Sequence, residues 1–204
     1  MATYSCIGAI HEDVMKMVEK SIAKNRKERI HELYEFRNIQ PEEVEQTIEI
    51  EQICFPPNEA CSDKNMRERV KVAPELFLVA VSKHTGKIAG FLNGLSTEEE
   101  KFRDEFFTDS SLYNSTGKNV MLLGLDVLPQ YRRKGLATEL MEIYCERERE
   151  KGRKKLLLTC LESKVEMYEK MGYTDLGLAD STWGGGEQWH EMFIDLNTYA
   201  KTKH

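Results

Sequence analysis

Asn119-Val-Met-Leu-Leu-Gly-Leu-Asp-Val-Leu-Pro129-Gln-Tyr-Arg-Arg-Lys-Gly135-Leu-Ala137 leads into a charged run that ends near Lys151. Its first ten residues form a near-continuous apolar run rich in Val and Leu, the pattern of a buried strand. Pro129 ends the strand, because proline has no N–H to give a ladder. Beyond the turn, Leu136, Leu140, Ile143 and Tyr144 recur at i, i+4, i+7 and i+8 with Glu, Arg and Lys between them, which predicts an amphipathic helix. A strand, a small-residue turn and a helix in that order aim several backbone N–H groups at one point before the helix. Such a point binds anions, phosphates above all. Gly135 lets the backbone approach a ligand closely, and Ala137 keeps a side chain from intruding.

The turn follows neither the Gly-x-x-x-x-Gly-Lys-Ser/Thr nor the Gly-x-Gly-x-x-Gly pattern. Val127-x-Pro129-x-x-Arg132-x-x-Gly135-x-Ala137 resembles instead the acetyl-CoA-binding signature of the GNAT N-acyltransferase superfamily. Met167-Tyr168-Glu-Lys-Met-Gly172-Tyr173 resembles that superfamily's second signature, Phe-Tyr-x-x-x-Gly-Phe, in the right order about thirty residues on. The resemblance implies an α/β (α+β) fold. It would be a mixed, mostly antiparallel sheet of about seven strands with helices on both faces and a splay between strands 4 and 5. It implies that Arg132, Arg133, Lys134, Gly135, Leu136 and Ala137 hold the CoA diphosphate. The backbone of Leu125, Asp126 and Val127 would bind the pantetheine arm, as in β-augmentation, and Tyr168 would contact the cofactor. Acetyl-CoA is then the co-substrate, and no metal is expected.

Glu35-Phe-Arg37, Pro41-Glu-Glu43, Glu49-Ile-Glu51, Cys54-Phe-Pro-Pro57 and Pro74-Glu-Leu76 look like the arylalkylamine (serotonin) N-acetyltransferase branch. That likeness runs at low identity from about Tyr34 to Leu196. It divides the chain into an N-terminal extension with a helix (1–31) and an acetyltransferase domain (32–204). In that branch the loop after the first domain helix walls the amine site, here Phe55 to Ser62.

Composition sets wider bounds. The 204 residues suit one domain with its own core, at 40% hydrophobic and 31% charged content. No apolar run approaches the roughly 20 residues of a membrane span, and the N-terminus lacks the pattern of a signal peptide. Five cysteines without a Cys-x-x-Cys pair read as free thiols in a reducing cytoplasm. A net charge of −6 argues against a nucleic-acid partner and agrees with a cationic substrate. The expected protein is cytoplasmic, a monomer or homodimer, with no membrane partner.

In chain order, Val14, Met17, Val18 and Ile22 predict an extra amphipathic helix from Glu12 to Arg29, for packing on the domain or for dimerisation. A strand follows over Leu33–Ile39. Pro41-Glu-Glu43 opens a helix with proline early and acids in its first turn, ending at Phe55-Pro56-Pro57. Ser62 or Asp63 caps a second helix through about Val72. Leu76–Val81 and Lys87–Leu95 form a hairpin across His84-Thr-Gly86. Residues 96–118 read as a helical turn in a mobile acidic connection. After the central unit come a buried strand (Lys155–Leu161), a helix (Ser163–Met171) closed by Gly172, and strands over 173–180 and 191–196. Thr182 to His190 is the loop between those last two strands.

Acetyl transfer from a thioester to an amine needs donors for the developing oxyanion, loss of a proton from the ammonium, and protonation of the leaving thiolate. Tyr168 suits the last role, since a phenol and a thiol have comparable acidities. The branch's proton-relaying His-x-His pair falls on Met121 and Leu123, which cannot titrate. Candidate bases are Glu59, His190 and Glu187, a histidine being the side chain suited to proton exchange near neutrality. Asp126 has the opposite strand parity to 121 and 123 and is expected on the other face. Phe55, Glu59, Met121, Leu123 and Trp183 are the expected amine-site residues, and Trp183 and Trp189 offer rings for an aryl group or an ammonium. Cys160, on a buried strand, is expected to be inert. The function implied is N-acetylation of a small primary amine by direct attack in a ternary complex. Acetylation of a protein N-terminus or lysine, or a non-catalytic acyl-CoA sensor on the same scaffold, are the alternatives.

Overall fold

The computed structural model describes residues 3–199, with the side chains of 3–13, 16, 19 and 20 outside the description. The chain opens with a long helix, α1 (Thr3–Leu33), that runs straight into β1 (Tyr34–Asn38). Next come α2 (Val44–Cys54), entered through a 3-10 turn at Pro41–Glu43, and α3 (Asp63–Val72). The Ser62 side chain caps α3 by accepting from the Asn65 N–H, as its position predicts. The hairpin β2 (Phe77–Ser82) and β3 (Ile88–Thr97) leads to the short α4 (Glu105–Thr108). Then follow β4 (Asn119–Val127), α5 (Leu136–Glu150), β5 (Lys155–Leu161) and α6 (Glu162–Glu169). The fold ends with β6 (Thr174–Leu178), β7 (Trp189–Asp195) and α7 (Leu196–Tyr199).

The seven strands form one sheet in the order β1-β2-β3-β4-β5-β7-β6, antiparallel except for β4 beside β5. The expected mixed sheet is therefore present. Two apolar layers cover it. One holds Leu136, Leu140 and Tyr144 of α5, whose hydroxyl donates to the Leu76 carbonyl. The other holds Ile48 and Ile50 of α2 and Met66 and Val70 of α3 against Phe77, Val79 and Phe91. Because β4 is covered on both sides, its sequence reads as a run rather than an alternation.

Several expectations are corrected. The N-terminal helix does not use the stripe that predicted it: Val14, Met17, Val18 and Ile22 are all exposed. Among its described side chains it docks by its last turns, where Ile30 is buried and His31 and Lys27 meet Glu139 of α5 at 2.7 and 3.5 Å. The acidic connection is pinned, not merely mobile, because Phe102, Phe106 and Phe107 insert into the core. Trp189 and His190 belong to β7 rather than to the loop before it. Cys54, Cys61, Cys145 and Cys160 are free thiols, while Cys6 lies outside the described side chains.

Candidate active site

The site is built where β4 and β5 part. They pair only over Asn119–Met121 and Lys155–Leu157, so from Leu122 to Val127 the β4 edge facing β5 has no ladder. On its other edge β4 stays paired to β3 as far as Val127. An unpaired strand edge inside a sheet is a ready acceptor for an extended, amide-bearing ligand. Leu125, Asp126 and Val127 lie along it.

At the end of this edge the chain turns through Pro129–Tyr131 into a loop of two left-handed residues, Arg133 (φ 57°) and Gly135 (φ 88°). The first intrahelical bond of α5 is Glu139 N–H to the Gly135 carbonyl, so the amides of Leu136, Ala137 and Thr138 face forward unpaired. Arg132 is exposed but folds back on the turn. Its Nε donates to the Val127 carbonyl at 2.7 Å, and Lys134 Nζ donates to the Gln130 carbonyl at 3.0 Å. Both side chains brace the turn while leaving positive charge around it. A groove of about 540 Å³ runs from Arg133 and Thr138 to Ser163, Glu166 and Met167 of α6 and Lys170 just beyond it. A cradle of free amides, a glycine and three cations fits a diphosphate.

Tyr168 projects from α6 into the same layer, edge-on to Tyr173 at 5.6 Å. Burial raises its phenol pKa, with Cys160 and Asp126 adding to the effect. Among the described residues its hydroxyl has no hydrogen-bond partner. Burial likewise pushes the Cys160 thiol up to about 12, so it is no thiolate nucleophile.

On the opposite face the loop 55–62 and the loop before β7 close on each other. Trp183 Nε1 donates to the Glu59 carbonyl at 3.0 Å, Asn58 Nδ2 to the Gly184 carbonyl at 2.6 Å, and Trp189 Nε1 to the Trp183 carbonyl at 2.8 Å. The Trp183 ring stacks on Phe107 at 4.6 Å. Asp104 accepts from Ser181 Oγ and the Thr182 amide, and Glu191 accepts from the Phe102 amide. The structure thus brings Trp183 and Glu59 together and joins them to α4, a partner that the sequence did not indicate. Trp183→Ala removes one stacked pair and one hydrogen bond, so urea unfolding is expected to show a loss of about 2 kcal/mol.

The candidate bases fare unequally. His190 pairs with Cys160 across the strands and so shares the α6 face. There its Nδ1 is held by Asp175 at 2.9 Å, while Trp189 and Glu191 face the aromatic side. Glu59 stays at the loop junction, where burial and then the charge of Glu187 raise its carboxyl pKa. Asp126 is not where strand parity put it. A β-bulge shifts the register so that Leu95 faces Met121 but Asn93 faces Gly124. Leu95 and Asn93 share one face of β3, so Met121, Gly124 and Asp126 share one face of β4.

Residues 32–173 match the model of the acetyltransferase (GNAT) family. The chain belongs to the acetyltransferase (GNAT) family. No curated protein matches the sequence. Solved structures share the fold of this acetyltransferase at low identity. The loading GNATL domain of CurA from Lyngbya majuscula is 16% identical with a TM-score of 0.69, covering 80% of this chain and 98% of its own. The Salmonella typhimurium protein yncA, with its cofactor acetyl-CoA, is 14% identical with a TM-score of 0.57 over 80% and 94%. A spermidine N-acetyltransferase chimera from Vibrio cholerae and hSSAT is 13% identical with a TM-score of 0.61 over 82% and 98%. No described helix of the acetyltransferase is long and apolar enough to cross a membrane, and no described group of His, Cys, Asp or Glu is arranged to hold a metal.

Proposed function

We propose that this acetyltransferase moves an acetyl group from acetyl-CoA to the primary amine of a small molecule, by direct attack in a ternary complex. The observation that carries the reading is the clasp of Trp183, Glu59, Asn58 and Gly184 over the aromatic side of the strand gap. A gap roofed by two joined loops suits a compact amine better than a polypeptide. Phe107 and Trp183 give that side an aromatic wall, which suits an arylalkylamine or another small cation.

In this reading the amides of Leu136, Ala137 and Thr138 and the charges of Arg132, Arg133 and Lys134 hold the diphosphate. The free edge of β4 orients the pantetheine amides and offers N–H groups to the thioester carbonyl. Acetyl-CoA supplies the activated acyl group. Tyr168 holds a proton for the leaving sulfur, its raised pKa keeping it protonated throughout the neutral range. In the same reading Phe55, Met121 and Leu123 line the amine side, and the N-terminal extension (1–31) is separate from the acetyltransferase domain (32–204).

The test is thiol release from acetyl-CoA with spermidine, tryptamine, phenylethylamine and a lysine peptide as acceptors. Release with a small amine and none with the peptide is the expected result. Preference for the peptide would overturn the substrate class. Binding of CoA without release by any acceptor would mark a sensor rather than an enzyme.

A further inference from the structure

Between the sheet and the α2–α3 layer, six buried side-chain atoms have no hydrogen-bond partner beyond the contact of the Glu51 and Asp126 carboxyls with each other and of the Cys54 thiol with Asp126. They are Glu51 Oε2, Arg69 Nη1, both amide atoms of Asn93 and both carboxyl oxygens of Asp126. None of these residues is more than 3% exposed. Buried polar atoms left short of partners are costly, and a cluster of them points to a purpose other than stability. Asp126 Oδ2, Asn93 Nδ2 and Glu51 Oε2 lie 3.0, 3.1 and 3.5 Å from the point where residue 124 would carry a Cβ. That residue is glycine, so position 124 puts no side chain between these groups and the backbone of β4.

We propose that Asp126, paired with Glu51, takes the proton from the substrate ammonium. The proposal rests on the acetyl-transfer reading above and supplies the base that Met121 and Leu123 cannot. Asp126 shares the β4 face of Met121 and lies on the stretch of β4 that has no ladder to β5. Glu51 is fixed by the Cys61 amide, which donates to its Oε1 at 2.8 Å, and so acts as a positioning residue. Arg69 of α3, Cys54 of α2, Cys61, Tyr168 of α6 and, beyond Cys54, Arg132 are the other charged or titratable groups around the pair. Burial holds both carboxyls above their ordinary range, Asp126 well above, where the charge of Glu51 adds to it and Arg69 offsets part of the effect. The charge of Glu51 keeps the last proton of the pair on Asp126, which becomes an acceptor when that proton leaves.

In the reaction the ammonium N–H breaks as an O–H forms on Asp126. The freed lone pair bonds to the thioester carbon, and the C–S bond breaks. The sulfur takes the Tyr168 proton, and the second amine proton restores the phenol. Asp126 then yields its proton to solvent, leaving amide, free thiol and one released proton.

The test follows thiol release against pH, with the amine that the acceptor panel selects. For the unaltered protein kcat/KM should rise through an acid limb as Asp126 loses its proton beside charged Glu51 and becomes an acceptor. Asp126→Asn should lower kcat/KM about 100-fold at neutral pH and abolish that limb, with CoA affinity unchanged. Glu51→Gln keeps an acceptor for the Cys61 amide. It should shift the limb to lower pH, because a neutral neighbour no longer raises the Asp126 pKa. An Asp126→Asn profile matching the unaltered protein overturns the proposal. Should that variant fail to fold, an unshifted limb in Glu51→Gln overturns it instead. An unaltered protein that releases no thiol with any amine overturns the amine reading and the base together, whereas an active one with unmoved limbs overturns the base alone.

Discussion

Tyr168→Phe is expected to lower kcat by about 100-fold or more, the usual contribution of a positioned general acid, while the affinity for CoA changes little. The phenol hydroxyl makes no bond within the described protein, so its removal leaves no partner unsatisfied. Tyr168 packs against Tyr173 through its ring, which phenylalanine keeps. Stability should therefore hold, and the loss should appear in kcat. Because burial raises the phenol pKa, the proton stays on Tyr168 as pH rises past neutrality and leaves only above the ordinary phenol value of about 10. A pH profile of the unaltered protein should accordingly show no alkaline loss from this group below that point. Equal losses in kcat and CoA affinity would assign Tyr168 to binding instead.

Gly135→Val is expected to weaken CoA binding by about 100-fold, read by calorimetry. Gly135 holds φ at 88°, a conformation that a β-branched residue adopts only under strain of about 1–3 kcal/mol. Its Cβ would also meet Ile30 Cδ1 at 3.2 Å and Arg26 Cδ at 3.4 Å, so these side chains of α1 would have to shift slightly. Relief of the strain by a flipped turn would swing the amides of Leu136 and Ala137 off their common point. The fold should survive, because the cores on either side of the sheet do not include residue 135. Unchanged CoA affinity in a folded Gly135→Val protein would remove the diphosphate from this turn.

The same two residues show what could be read in advance. Strand, proline stop, glycine turn and amphipathic helix are all local: each depends on backbone chemistry within a few residues, and each stands where its sequence predicts. The cap at Ser62 and the glycine stop at Gly172 are legible for the same reason. His190 and Asp126 are not local in this sense. Which face each takes depends on pairing with another strand, and a bulge on β4 reverses parity without leaving a sign in the sequence. The exposed stripe of α1 teaches the converse: apolar spacing predicts a helix but does not name what covers it.

By itself, then, the amino-acid order determined the strand–turn–helix unit, the second signature at Tyr168 and the class of layered sheet that holds them, because period, capping and turn chemistry act over short distances. Only the tertiary structure decided where the pairing of β4 with β5 stops, the clasp of Trp183 on Glu59, and the meeting of Glu51, Asn93 and Asp126 under Gly124. Those arrangements join residues tens of positions apart, and their contacts exist only once the register of the whole sheet is set.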